Sequence, residues 1–301
     1  MSLEDIIYSN SFLLELSRKV MGLGYRVAPS LMIRIVYRLR LGQWPNLKHP
    51  QTFNEKIQWM RLHDKDPRKT RLADKYLVRE WVAENIGDDY LIPLLGVWDK
   101  IEEINFDLLP SQFVLKANHG SGWNIVVRDK SQLDYRNVKK MCHKWLHTNY
   151  GKENLEPQYV SIPPKLIVEE YLENEGGNLY DYKVHCFQGK AKFIHYIGGR
   201  ATNDTCEVFY DTKWNRMPFT TNSYPRFKSE IPKPDNLDEL LHLAESLAGD
   251  FDYVRVDIYV LNNGTFKFGE MTFTPGAGVY HWEPEEYDLE FGKLIKLPID
   301  E

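Results

Sequence analysis

The chain has 301 residues, 43% hydrophobic and 27% charged, a globular composition that excludes disordered and collagen-like classes and allows one large domain or two to three lobes around a core. Its 38 Lys and Arg against 43 Asp and Glu leave a net charge of −5, so nothing global favours nucleic-acid binding by phosphate neutralisation, and any basic surface is local. The longest uncharged run, Met271 to Trp282, is too short and too rich in Gly, Pro and Thr to cross a bilayer, which takes about 18 to 20 apolar residues. The opening MSLEDIIYSN places acids where a secretory signal has basic residues, so a cytoplasmic protein is expected. Cys142, Cys186 and Cys206 lack metal-ligand spacing and fit reduced, structural thiols.

The first hundred residues read as helical. Apolar residues in SFLLELSRKVMGL and LMIRIVYRLRL recur every three or four positions, and TFNEKIQWMRLH opens with a Thr three residues before Glu55, a capping-box pattern. No acid occurs from Leu16 to Asn54, while Arg18, Lys19, Arg26, Arg34, Arg38, Arg40 and Lys48 fall inside that stretch. Its basic side chains either form a solvated face, with their stems over apolar surface, or rest on anionic lipid or an anionic polymer at the inner membrane face. RKTRLADKYLVREWV, residues 68–82, has helical period, and YLIPLLGVW reads as a buried strand ended by Asp99.

After Pro110 the texture changes. QFVLKANHGSGWNIVV predicts a hairpin with a Gly-bearing tip, Val138 to Thr148 a helix, and KLIVEEYL a short buried strand. YDYKVHCFQGKAKFIHYIGG predicts two strands joined at Gln188-Gly189, and the acidic ENEGGN at 173–178 before it resembles a linker. Pro232 to Ala248 contains a helix, FDYVRVDIYVLNNGTFKFGEMTF is a long hairpin turning at Asn263-Gly264, and Glu285 to Lys296 is a terminal helix.

Three places can carry chemistry. Lys116, at the end of a strand and followed by Gly120-Ser121-Gly122, can aim an ammonium and free backbone N–H groups at one phosphate chain, although neither a Walker A loop nor GxGxxG is present. Arg255 and Asp257 share a strand face, and pairing across the Asn263-Gly264 turn brings Glu270 beside them. Two carboxylates so close need a proton or a cation between them, and hard oxygens suit Mg²⁺. LIVEEYL can hold an adenine edge through backbone groups and a carboxylate, or can be a plain strand end.

Taken in order, FNEKIQW, DKYLVREWV, IGDDYLIPLLGVWD, LPSQFVLKANHGSG, LIVEEYL, LYDYKVHCFQGK, DYVRVDIYV and FGEMTFTPGAG resemble the ATP-grasp superfamily, and within it the TupA-like branch of teichuronopeptide and polysaccharide biosynthesis. The resemblance covers roughly residues 45–297. It implies an α+β ATP-grasp fold, two lobes clasping ATP, with a helical N-terminal region in place of the usual α/β lobe. The expected division is a helical region at 1–110, a first lobe at 111–172 and a second at 173–301. By resemblance Lys75 and Lys116 contact the phosphates, with Arg255 stabilising the phosphoryl group in transfer. The loop with His119, Gly120, Ser121 and Gly122 closes over the nucleotide. Glu169, Glu170, Tyr171 and Leu172 hold adenine, Asp181 sits near the ribose with Lys183 beside it, and Asp257 and Glu270 ligate Mg²⁺. Many members have Glu-x-Asn where this chain has Glu270-Met271-Thr272, and a Thr oxygen is the weaker ligand.

The implied reaction is ATP-dependent joining of a carboxylate to an amine through an acylphosphate. The implied substrates are a uronic acid or a glycan containing it and an amino acid or other small amine, with no nucleic acid involved. A sugar kinase, a glycosyltransferase and a non-catalytic ATP-sensing scaffold of a polysaccharide assembly are the competing readings. His185, His195 and Arg200 either face the acceptor or are ordinary strand residues.

Overall fold

The first two helices among the described residues are α1 (Ser11–Val27) and α2 (Pro29–Leu41), joined at Ala28 with Pro29 in the first turn of α2. The computed structural model describes residues 11–173, 179–199 and 204–299, so most of the linker-like 173–178 stretch and Arg200 lie outside the described residues, as do the side chains of Arg18 and Lys19. α2 stops at Gly42, whose φ of 73° is the left-handed value that closes a helix, its N–H donating to the Arg38 carbonyl. The capping box opens α3 (Phe53–His63): Thr52 Oγ1 accepts from the Glu55 N–H, and the Glu55 carboxylate accepts from the N–H groups of Asn46, Gln51 and Thr52.

The helical stretch at 68–82 is two helices rather than one, α4 (Pro67–Ala73) and α5 (Val78–Asn85). Asp74 breaks it. Its carboxylate accepts from the N–H groups of Tyr76 and Leu77, so the side chain satisfies donors that a continuous helix would have used. Lys75 stands in that break.

Four antiparallel strands form the first sheet in the order β1-β4-β2-β3: β1 (Leu94–Trp98), β2 (Phe113–Ala117), β3 (Asn124–Val127) and β4 (Leu166–Glu170). β1 is half-buried along its length because it lies at the edge, where a fully buried strand was expected. Alternation along β2 sends Phe113, Leu115 and Ala117 into a core with Val138, Cys142 and Trp145 of α6 (Tyr135–Leu146). Lys116 is left on the opposite face, where it joins Glu169 of β4. A single turn, α7 (Tyr150–Glu153), follows α6.

The second sheet runs β7-β6-β5-β8-β9, with β5 (Tyr180–Phe187), β6 (Lys190–Gly198), β7 (Cys206–Asp211), β8 (Tyr253–Val260) and β9 (Phe266–Thr272), again all antiparallel. Gln188 and Gly189, at φ of 49° and 71°, make the tight turn between β5 and β6. One face packs Tyr182, Val184, Cys186, Ile194, Val254 and Val256 under α8 (Leu237–Ala248). The other face is divided. Phe187, Phe193, Phe209 and Tyr253 meet Phe53 and Ile57 of α3 and Phe291 of α9 (Glu286–Gly292) in an aromatic core, and the rest of that face carries charge.

The β8–β9 pairing slips once. Ile258 faces Phe268 but Asp257 faces Glu270, so Gly269 is an extra residue in β9. A Cβ on Gly269 would stand 2.9 Å from the Asp257 carbonyl. Without the bulge Asp257 would oppose Gly269, and Glu270 would point into the core under α8, since a one-residue shift exchanges the two faces. The burial pattern records the exchange: Phe266 and Phe268 are buried before it, Met271 and Phe273 after it.

Candidate active site

The charged part of the second sheet is built in rows. Across the strands, His195, Lys183, Asp257 and Glu270 are successive register partners, and His185, Arg255 and Thr272 form the next row. Arg255 holds Asp257 with two donors, Nε to Oδ1 at 2.7 Å and Nη2 to Oδ2 at 2.8 Å, and reaches Glu270 Oε1 at 3.3 Å. Lys183 bridges Asp257 and Asp181, the latter at 2.8 Å. Thr272 Oγ1 donates to Glu270 and accepts from Arg255, both at 3.0 Å. Burial alone would raise the Glu270 carboxyl, but Lys75, Arg255 and Lys183 outweigh it and hold the pKa at about 2. Burial pushes the Asp257 carboxyl upward against the pull of Arg255 and Lys183.

The facing wall comes from the first sheet and the helix break. Lys116 Nζ donates to Glu169 Oε2 at 2.5 Å, and Arg79, one turn after Lys75, reaches Glu169 Oε1 at 3.2 Å. Lys75 Nζ donates to the Gly120 carbonyl at 2.6 Å and stands 3.9 Å from Glu270 Oε2, which links the two walls. Burial lowers the Lys75 pKa; Glu270 raises it and the like charge of Lys116 lowers it further. The loop between β2 and β3 is anchored by Asn118, whose amide donates to Asp74 and to the Pro163 carbonyl, both at 3.0 Å.

A cavity of about 650 Å³ between the walls is lined by Lys75, Lys116, Ser121, Gly122, Asp181, Lys183, Arg255, Asp257 and Glu270. Most of the residues expected from sequence therefore meet there. Others stand apart. The His119 ring lies 3.0 Å from both Asn118 Oδ1 and the Trp145 carbonyl, burial lowers its pKa, and neither it nor Gly120 lines the cavity. Glu170 is exposed, and Tyr171 and Leu172 are half-buried. A separate gap bounded by Glu169, Lys116, Arg79, Ile92 and Phe268 measures about 10 Å³, room for roughly one water.

Several lining residues were not read from the sequence. Arg79 had a signal, its four-residue spacing from Lys75 in a helical stretch. Tyr280, whose hydroxyl accepts from Arg255 at 3.4 Å, had none. His195 lines the cavity and has its Nε2 3.0 Å from Glu207, a fully buried carboxylate that also accepts from Thr220 and Thr221. His185 instead stacks on Phe193 and meets the Tyr253 hydroxyl at 2.8 Å, inside the aromatic core. A second cavity, of about 660 Å³, reaches Arg255, Glu270 and Thr272 from the side of α1 and α2. Arg61 braces its wall by donating to the carbonyls of Leu155, Asn154 and Ala277 at 2.8 to 2.9 Å.

Cations on one wall, and a guanidinium with two carboxylates on the other, suit a ligand with a chain of anionic oxygens and a divalent cation. A family profile described as TupA-like ATPgrasp matches residues 55–296. Among solved structures the chain is similar to the D-alanine–D-alanine ligase from Bacillus anthracis complexed with ATP, at 18% identity over 74% of this chain and 64% of that one, TM-score 0.43. It is similar to the L-amino acid ligase from Bacillus licheniformis at 13% identity over 85% and 57%, TM-score 0.46. The N5-carboxyaminoimidazole synthetase from Staphylococcus aureus complexed with ADP shares 11% identity over 68% and 45%, TM-score 0.42. The chain thus spans less than two thirds of the length of each of these three. No curated protein sequence matches it.

Proposed function

The chain belongs to the TupA-like ATP-grasp family, and on that premise we propose that it is an ATP-dependent, ADP-forming carboxylate–amine ligase. A carboxylate oxygen of the substrate attacks the γ-phosphorus of ATP and ADP leaves. An amine then attacks the acylphosphate, phosphate departs, and an amide remains. The protein's share is to position the reactants, neutralise charge and exclude water that would hydrolyse the acylphosphate. The observation that supports this reading is the convergence of Lys75 and Lys116 with Arg255, Asp257 and Glu270 on one cavity. No thiol nucleophile is required, and burial pushes the Cys142 thiol up to about 12.

In this reading Lys75 and Lys116 hold the phosphates, Ser121 and Gly122 cover them, and Arg255 meets the phosphoryl group in transfer. Glu169, Glu170, Tyr171 and Leu172 take the adenine, and Asp181 and Lys183 face the ribose side. Asp257 and Glu270 would hold Mg²⁺. Among the described residues no cluster of three His, Cys, Asp or Glu side chains is ready for a metal. Glu270, with the Thr272 hydroxyl beside it, suits Mg²⁺, whereas Asp257 would join it only by exchanging Arg255 or Lys183 for the cation, whose remaining positions phosphate oxygens and water would fill. When bound it supplies neutralisation of phosphate charge. The helical region is assigned to 1–110, the first lobe to 111–172 and the second to 173–301; β1 falls within 1–110 by sequence but pairs with β4 of the first lobe.

The carboxylate is assigned to a uronic acid or a glycan that contains one, and the amine to an amino acid or other small amine; support for both comes from the family resemblance. The test is heavy-oxygen transfer. With ¹⁸O in the carboxylate of a uronic acid, a ligase moves label into inorganic phosphate, whereas a kinase acting on a sugar hydroxyl does not. Glu270→Gln should abolish ADP release from the wild-type pair of substrates while the protein stays folded. Unlabelled phosphate, or full turnover by that variant, would overturn the reading.

A further inference from the structure

Away from the cleft, the surface that least resembles an ordinary solvated face is the outer side of α1 and α2. Val20, Leu23 and Val27 follow the spacing of a helix face and are 58%, 66% and 81% exposed. Single exposed apolar residues are common, but a stripe at this spacing normally faces a core. The inner side of the hairpin already has one: Met21, Tyr25, Met32 and Val36 pack around Ile33, Leu47 and Leu155, and α7 lies against Gly22. Leu31, Leu39 and Trp44 are exposed as well, and so are the cations Arg26, Arg38 and Lys48, in a stretch that holds no acid from Leu16 to Asn54. The cavity of about 660 Å³ is lined by Met21, Val36 and Leu39 as well as by Arg255, Glu270 and Thr272.

We propose that the outer face of the α1–α2 hairpin rests on an anionic bilayer, and that the cavity beneath it receives an acceptor anchored in that membrane. Neither helix, nor any other among the described residues, is long and apolar enough to span. An interfacial helix needs what this hairpin presents, an apolar stripe for the headgroup boundary and cations for lipid phosphates. A soluble polyanion would engage Arg26 and Arg38 but leave Val20, Leu23 and Val27 in water. Two copies of the hairpin pressed together would set like charges against each other about a two-fold axis. Leu39 is both exposed and part of the cavity lining, and this gives the membrane contact a purpose: a lipid-linked carboxylate or amine enters without leaving the bilayer plane.

The experiment sediments the full chain, without ATP, with phosphatidylcholine vesicles that contain or lack phosphatidylglycerol. Binding to the anionic vesicles only, weakened by salt, is expected. Leu23→Glu with Val27→Glu, and separately Arg26→Glu with Arg38→Glu, should each lower the vesicle-bound fraction by about tenfold or more. Leu289→Glu, an exposed apolar site on α9, should leave it unchanged. None of these five positions lines the cleft, so nucleotide binding in solution should match wild type in every variant. Undiminished vesicle binding by both double variants would overturn the assignment. So would retention on heparin without vesicle binding, or a dimer that Leu23→Glu with Val27→Glu dissolves. Delivery of the acceptor from the membrane rests on the ligase reading of the cleft, whereas adhesion to vesicles does not. Vesicle binding without labelled phosphate would therefore count against the ligase reading alone.

Discussion

Lys183 is buried between two aspartates, and its value lies less in net stability than in what its loss would expose. A buried ion pair roughly offsets its own desolvation, but removing one partner strands the other. Lys183→Met should therefore destabilise the fold by about 3–5 kcal/mol, because Asp181 and Asp257 both lose the ammonium they share. Urea unfolding measures this; a change within about 0.5 kcal/mol would show that the lysine is solvated instead. Lys75 makes a prediction in pH. Its pKa lies below that of an ordinary lysine, near 10.4, because burial disfavours the ammonium, so its positive charge is lost earlier as pH rises. Nucleotide affinity should fall on the alkaline side, and Lys75→Arg, which does not titrate there, should retain affinity to higher pH in calorimetric titrations. Superimposable profiles would remove Lys75 from the phosphate contact. At this scale the sequence was informative wherever local spacing decides position. Arg255 and Asp257 are two apart on one strand, and the Asn263-Gly264 turn delivers Glu270 to them. It was silent on Tyr280, which reaches the second cavity only through tertiary packing of a loop with no periodicity.

Elements show the same division. The hairpins at Gln188-Gly189 and Asn263-Gly264 and the capping box at Thr52 are written in residues that sit next to one another, and each was legible. β7 was not, because CEVFYD does not alternate cleanly and its pairing with β6 is a tertiary choice. The bulge at Gly269 did leave a trace, an apolar pattern that changes phase from Phe266 and Phe268 to Met271 and Phe273, and reading it would have explained why Glu270 leaves the core face. Another glycine supplies the test at this scale. In an exposed helix Gly→Ala gains about 1 kcal/mol. In α9 the sign should reverse, since a Cβ on Gly292 would stand 2.1 Å from the Gln51 carbonyl and 2.7 Å from the Thr52 carbon, backbone that begins α3. Gly292→Ala should cost about 1–3 kcal/mol, seen as a Tm lower by roughly 2–4 °C per kcal/mol. An unchanged or higher Tm would mean that α3 and α9 are not in contact at this point.

For the whole molecule, the two sheets approach too closely at one end of the cleft for a base to enter. The gap between Glu169 and Phe268 holds roughly one water, while the phosphate end is open. If adenine binds there, the sheets must part first, and binding should be gated by that motion. In stopped-flow experiments reporting on Trp123, which lines the cavity of about 650 Å³, the observed rate should level off as nucleotide is raised. A rate that stays linear to the highest concentration would place adenine elsewhere. The halves of the chain are equally interdependent in another respect. Asn54 at the start of α3 accepts from the Tyr280 N–H and donates to Asp288, contacts 226 and 234 residues apart, and the aromatic core between them takes Phe53 and Ile57 from one end of the sequence and Phe291, Ile295 and Leu297 from the other. During synthesis, then, α3 must wait until residues 280–297 have been made before its apolar face is fully covered. Until that moment Phe193 lacks Phe291, and the cluster that Phe53 forms with Phe187 and Tyr253 is open on one side, an apolar surface of the kind that makes a nascent chain prone to aggregation.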